Sequence, residues 1–178
     1  MRQRMLPGAI FVACALIAQS GIAAEVTQAS PAESAVQVQA PETAQAGAVR
    51  AGGRVQQIVE DALQLVGIRY RRGGTDAETG FDCSGFVGYL FRERLGLALP
   101  RTSREISHAG VQVPKAELQP GDLVFFHTMR HSFSHVGIYL GDNMFVHAPR
   151  RGRAVRVEDL RHRYWAKRFD GARRIEGF

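Results

Sequence analysis

Cysteine is scarce in this chain. Among 178 residues there are two, Cys14 and Cys83, so a disulfide-stapled fold is excluded, and loss of the N-terminal segment would leave a single thiol with no partner. Long apolar runs are missing too. The longest candidate, AIFVACALIA, falls short of the ~20 residues a membrane-spanning helix needs. Residues 25–53 contain no aromatic residue and no leucine, which excludes a packed core there, because too little apolar surface is available to offset the entropy of ordering. No His-Glu-x-x-His sequence is present, so the commonest zinc-hydrolase signature is absent.

What is present falls into three parts. MRQR supplies a positive start, AIFVACALIA an apolar run and GIAA a small-residue end, the pattern of a secretory signal peptide over residues 1–24. The alternatives are an uncleaved anchor and a lipoprotein, since Phe11-Val12-Ala13-Cys14 loosely resembles a lipidation box; lipidation at Cys14 would bring membrane association. Residues 25–53, rich in Ala, Gln, Pro and Ser, read as a flexible linker. Residues 54–178 read as one folded domain. The formal charge is +6, or +4 once Arg2 and Arg4 leave with the signal. The segment from Arg150 to the C-terminus carries ten Arg or Lys against four Asp or Glu. In an exported protein such a basic face points to the cell wall or an outer leaflet rather than to nucleic acid.

Within the domain, Val55, Ile58, Val59, Ala62, Leu63 and Val66 recur at helical spacing and stop at Gly67. A loop with a Gly73-Gly74 pair follows, and the pair permits close backbone approach. Cys83, Phe86, Val87, Leu90, Phe91 and Arg94 resume the helical pattern, with Asp82 as N-cap and Cys83 in the first turn. Thr102 and Glu105 form a capping-box pattern. LQPGDLVFFH turns at Pro120-Gly121 and enters a strand, and HVGIYLGDNMFVHAP reads as two strands joined at Gly141-Asp142-Asn143. A three-residue loop pairs Leu140 with Met144 and Gly137 with His147, placing His135 and His147 on one face as diagonal neighbours; a two-residue loop would separate them. Phe145 is expected to face away from His147.

A lone cysteine at a helix start is either a small buried hydrophobe or a nucleophile. The positive end of the helix would lower its pKa, and the Asp82 carboxylate would raise it unless backbone N–H groups or a substrate ammonium engage that carboxylate. Two histidines on one hairpin face complete the set a thiol hydrolase needs: one takes the thiol proton and the other orients it. A rival is a metal site at His127, His131 and His135, but their flanks read as strands rather than one helix. Trp165 is expected to be a core or edge anchor.

YRRGGT, GFDCSGF, LPRTSRE, LQPGDLVFF, SHVGIYLGDNMFVHA and YWAKRFDGARRI together resemble the NlpC-type cysteine peptidases of bacterial cell walls, and among them the Spr-like murein endopeptidases. The resemblance implies a papain-like α+β fold, with N-terminal helices, including the cysteine helix, packed on an antiparallel sheet that carries the histidines. It implies Cys83 as nucleophile, His135 as base, His147 as the orienting residue and Tyr70 as an oxyanion donor beside the Cys83 N–H. It implies Asp82 and Ser84 as contacts to a substrate amino group, peptidoglycan as partner, and no metal or organic cofactor. The expectation is an exported, monomeric thiol endopeptidase of the periplasm or cell envelope that cuts peptidoglycan stems or cross-links, with D-alanyl to diaminopimelate favoured over γ-D-glutamyl to diaminopimelate. The alternatives are amidase or acyltransferase chemistry on the same machinery, and a catalytically silent module that binds wall peptides. Arg72 departs from the family pattern, standing where many members have an aromatic residue.

Overall fold

The computed structural model describes residues 42–129 and 131–176. Cys14, the 1–24 segment and the first part of the 25–53 segment lie outside the described residues.

Helix α1 spans Glu42–Gln64 and so begins inside the segment read as a linker. That reading is corrected for residues 42–53: they cannot build a core, but alanine-rich sequence is intrinsically helical. Farther along α1, Ile58, Val59 and Ala62 are buried while Leu63 is exposed, as is Val66 just beyond the helix. The apolar face is therefore narrower than its periodicity suggests. A two-stranded ribbon, β1 (Thr75–Asp76) and β2 (Gly80–Phe81), leads into helix α2, Cys83–Leu95. Asp82 caps α2 by accepting from the Gly85 N–H at 2.7 Å, and Gly96 ends it in the left-handed conformation. Phe86, Val87, Leu90 and Phe91 are all buried, so α2 is the central helix of the domain. Helix α3 (Ser103–Ile106) starts at the expected capping box.

The remaining chain builds an antiparallel six-stranded sheet with α4 (Arg163–Ala166) on one side. Its strands are β3 (Val111–Val113), β4 (Leu123–Phe126), β5 (His135–Gly141), β6 (Met144–His147), β7 (Arg156–Asp159) and β8 (Phe169–Arg174), in the order β3-β8-β4-β5-β6-β7. Because side chains alternate along each strand, the sheet has two faces with different contents. Leu123, Phe125, Val136, Ile138 and Val146 pack against α1 and α2. Val124, Phe126, Tyr139 and Phe145 pack with Trp165 of α4.

The β5–β6 hairpin reaches the expected face by a different route. Its turn has two residues, Asp142 and Asn143, both at positive φ, as a tight hairpin turn of this hand requires. Gly141 pairs with Met144 and Tyr139 with Phe145, leaving Leu140 as an extra, bulged residue. The expected Leu140–Met144 pair is thus absent. The bulge shifts the register by one, which cancels the shortening of the turn: Ile138 pairs with Val146, and Gly137 lies against His147. His135 and His147 therefore share a face after all. Phe145, two residues before His147, lies on that face too, with ring centroids 4.9 Å apart; the expectation that it faces away ignored the period of two.

Candidate active site

The two imidazoles are held inside the sheet's aromatic layer. His135 is 3% exposed and His147 is fully buried. His135 Nε2 and His147 Nδ1 are 2.6 Å apart. Trp165 stacks on His135 at 5.8 Å with an interplanar angle of 22° and meets His147 edge-on at 4.9 Å. Trp165 is a buried anchor, as expected, and it also clamps both rings. Its own Nε1 donates to Glu158 at 3.2 Å. Since His147 occupies His135 Nε2, the nitrogen left for proton transfer on His135 is Nδ1.

Cys83 reaches the same site from the other direction. It lines a groove of about 660 Å³ with Tyr70, Ser134, His135, Arg156 and Trp165. As the first helical residue, Cys83 has a backbone N–H with no intrahelical acceptor. The thiol sits within reach of the Val136 N–H, yet its pKa is pushed up to about 11, first by burial and then by the Asp82 charge. The helix terminus was expected to lower it; desolvation outweighs that effect. Burial lowers the His135 pKa to about 4. His147 is lowered well below its usual value, by burial, His135 and Arg156. Both shifts favour a neutral thiol beside neutral imidazoles in the resting site.

Tyr70 is half-buried and lines the groove beside Cys83. Burial, Cys83 and Asp82 all raise its pKa, so the phenol remains an O–H donor. The close packing of its loop depends on glycine. A Cβ on Gly85 would collide with the Gly74 carbonyl, which accepts from the Asp82 N–H at 3.0 Å. Gly85 thus lets the loop lie directly against the start of α2, and a Cβ on Gly74 would collide with the Gly80 carbonyl.

Asp82 and Ser84 form one hydrogen-bonded group at the start of α2. Asp82 accepts from the N–H groups of Gly73 and Gly85 at 2.9 and 2.7 Å, from the Ser84 hydroxyl at 3.2 Å, and from Arg101 at 3.1 and 2.6 Å. Five donors saturate the roughly four lone-pair positions of a carboxylate. Burial alone would raise its pKa, but Arg101 and the backbone donors hold it below the usual range. Ser84 is buried and also accepts from Arg101, at 2.9 Å. Both side chains are thus engaged by partners within the protein, with Arg101 bridging them. The half-exposed group over both is Arg101, a residue sequence reasoning passed over. Its signal was a cation immediately before the Thr102 cap.

The three histidines of the rival metal reading do not converge. His127 pairs with Asp170 at 2.8 Å, His131 is exposed, and His135 binds His147.

A cysteine heading a helix, packed against an antiparallel sheet that buries a histidine pair, defines a papain-like α+β domain. The chain belongs to the NlpC/P60 family, whose model matches residues 67–174. It is 40% identical over 116 residues to murein DD-endopeptidase MepH of Escherichia coli K12, covering 64% of this chain and 43% of that protein. It is 37% identical over 120 residues to gamma-DL-glutamyl hydrolase of Bacillus subtilis 168, covering 67% of this chain and 29% of that protein. The chain thus spans less than half the length of either relative. Among solved structures, the NlpC/p60 domain of peptidoglycan hydrolase SagA superposes with a TM-score of 0.60 at 30% identity, covering 68% of this chain and 98% of that domain.

Proposed function

We infer that the chain is an exported thiol endopeptidase that hydrolyses an amide in peptidoglycan stems or cross-links. The observation that carries this reading is the buried 2.6 Å His135–His147 contact opening onto the groove that Cys83 lines. The Cys83 sulfur attacks the scissile carbonyl as its proton passes to His135 Nδ1. Because the resting pair is neutral, attack and proton transfer go together rather than through a standing thiolate. The tetrahedral oxyanion faces the Cys83 N–H and the Tyr70 O–H. The His135 Nε2–H donates to His147 Nδ1, which fixes the ring and supports the transient imidazolium. The amine departs with the proton from His135, leaving a thioester. Water, deprotonated by His135, releases the acid and restores the thiol.

The named activity of the DD-endopeptidase relative favours the D-alanyl to diaminopimelate bond. That of the glutamyl hydrolase relative makes the γ-D-glutamyl bond the competing choice. Export rests on the signal-like residues 1–24. The test is to incubate the protein and Cys83→Ser with sacculi and defined muropeptides and identify products by mass spectrometry. New monomers ending in free D-alanine, formed only by the wild type, support cross-link cleavage. Stems cut after glutamate assign the other bond, and intact substrate with both proteins overturns the hydrolase reading.

A further inference from the structure

Beside the catalytic groove lies a second cavity, of about 740 Å³, walled by Arg69, Arg71, Arg72 and Arg151. Tyr70 and Met129 line both cavities, so the two adjoin across these side chains. Thr79 completes the lining, and no carboxylate contributes to it. Among the described residues, none of the four arginines forms an ion pair. The nearby Asp76 is occupied by Thr79, accepting from its N–H and its hydroxyl, each at 2.7 Å.

The backbone forces this concentration of charge. Arg69, Arg71 and Arg72 come from the loop after α1, and Arg151 from a turn between β6 and β7. The two segments are tied by Gly67 N–H to Val155 O at 2.9 Å, Val155 N–H to Ile68 O at 2.8 Å and Tyr70 N–H to Arg153 O at 2.8 Å, while Arg153 N–H to Arg150 O closes the turn at 3.1 Å. One guanidinium is also pinned, Arg69 Nε donating to Thr79 O at 3.1 Å. Four like charges held around one concavity repel each other, and an anion entering it relieves that repulsion while offering bidentate acceptors to the guanidinium forks.

We propose that this four-arginine cavity is an anion subsite that holds free carboxylates of the substrate polymer where it runs past Tyr70, away from the scissile amide. The wall shared with the groove selects the occupant: a polymer whose amide faces Cys83 passes Tyr70 and Met129 and brings its neighbouring groups to this cavity. The identity of the polymer rests on the hydrolase reading above; peptidoglycan stems supply such carboxylates in their glutamyl and diaminopimelyl residues.

The test measures binding apart from cleavage. The full chain carrying Cys83→Ala is titrated with a cross-linked muropeptide bearing free carboxylates, with its amidated counterpart, and with phosphatidylcholine vesicles containing phosphatidylglycerol. The free-carboxylate ligand is expected to bind about 10-fold more tightly than the amidated one, the effect of one good charge-assisted pair. Arg71→Gln, Arg72→Gln and Arg151→Gln, all at exposed positions, combined in one chain should abolish that preference and leave affinity for the amidated ligand within about 2-fold. If the triple variant does not fold, Arg151→Gln alone, in a surface turn, should cut the preference by about 3-fold. Equal affinity for the two muropeptides, an undiminished preference in the variants, or a loss confined to the vesicles overturns the proposal. Wild-type protein that cleaves nothing while the carboxylate preference and its loss persist overturns the hydrolase reading and leaves the cavity's role standing.

Discussion

The two faces of the central sheet differ in kind although adjacent residues supply them. On the face toward α1 and α2, Val136, Ile138 and Val146 fill a core with no titratable side chain among its buried members. On the face toward α4, His135 and His147 replace aliphatic residues one position away, among Phe126, Phe145 and Trp165. The first face holds the fold and the second holds two rings in place. Burying polar imidazoles costs free energy unless they are paired; here they pair with each other, while His147 Nε2 has no hydrogen-bond partner among the described residues. Stability and chemistry are thereby assigned to alternate residues of the same strands.

That division can be broken by substitution. Cys83→Ser is expected to lower turnover of muropeptides by at least about 10⁴-fold with an unchanged melting curve, because a hydroxyl lacks the nucleophilicity of sulfur; retained turnover would move the chemistry elsewhere. His147→Asn should cut kcat by about 100-fold through a less well held His135 and shift melting little. Val146→Ala, its neighbour on the opposite face, should do the reverse and cost about 1–3 kcal/mol of stability by denaturant titration. If the two variants had the same signature, the faces would not be functionally separate.

Acid sharpens the comparison further. His135 titrates near 4 when folded and near 6.5 when unfolded, so between those values the unfolded chain binds more protons and stability falls as pH falls. The contribution is about 3 kcal/mol, present above pH 6.5 and lost on descending to about pH 4. Urea titrations across that range should show the slope in the wild type and a shallower one in His135→Phe; identical slopes would mean His135 does not carry the acid sensitivity. The smallest effect is expected at Arg101→Lys, which keeps the charge but gives up the two-pronged contact to Asp82. A loss of about 1 kcal/mol or less in thermal stability fits a partly exposed pair. A loss of the fold would show that the pair locks the start of α2.

Elements that depend on neighbours in sequence could be read in advance: the Asp82 cap, the Thr102–Glu105 box, and the alternation that puts His135 and His147 on the α4 face. Features set by distant contacts could not. Arg101 meets Asp82 only because the chain returns past α2, and Trp165 meets His135 only once α4 folds onto the sheet. The Leu140 bulge was invisible because a turn of two residues plus a bulge yields the same facing as a turn of three. The direction of the thiol shift stayed open between the helix terminus and Asp82, because desolvation, its largest cause, is not visible in sequence. Helix α1 extends through residues whose composition argued only against a core, which is a weaker statement than arguing against a helix.

The enclosure of Cys83 has a consequence outside turnover. Oxidants and disulfides attack the thiolate, and a sulfur whose proton leaves only near pH 11 offers almost none of it at neutral pH. An unpaired thiol in an oxidising compartment would ordinarily be spent by peroxide or captured in mixed disulfides. Held as S–H beside the groove until a carbonyl arrives, this one is expected to react slowly with peroxide and disulfides at neutral pH, so the burial that opposes loss of its proton also shields it from oxidation.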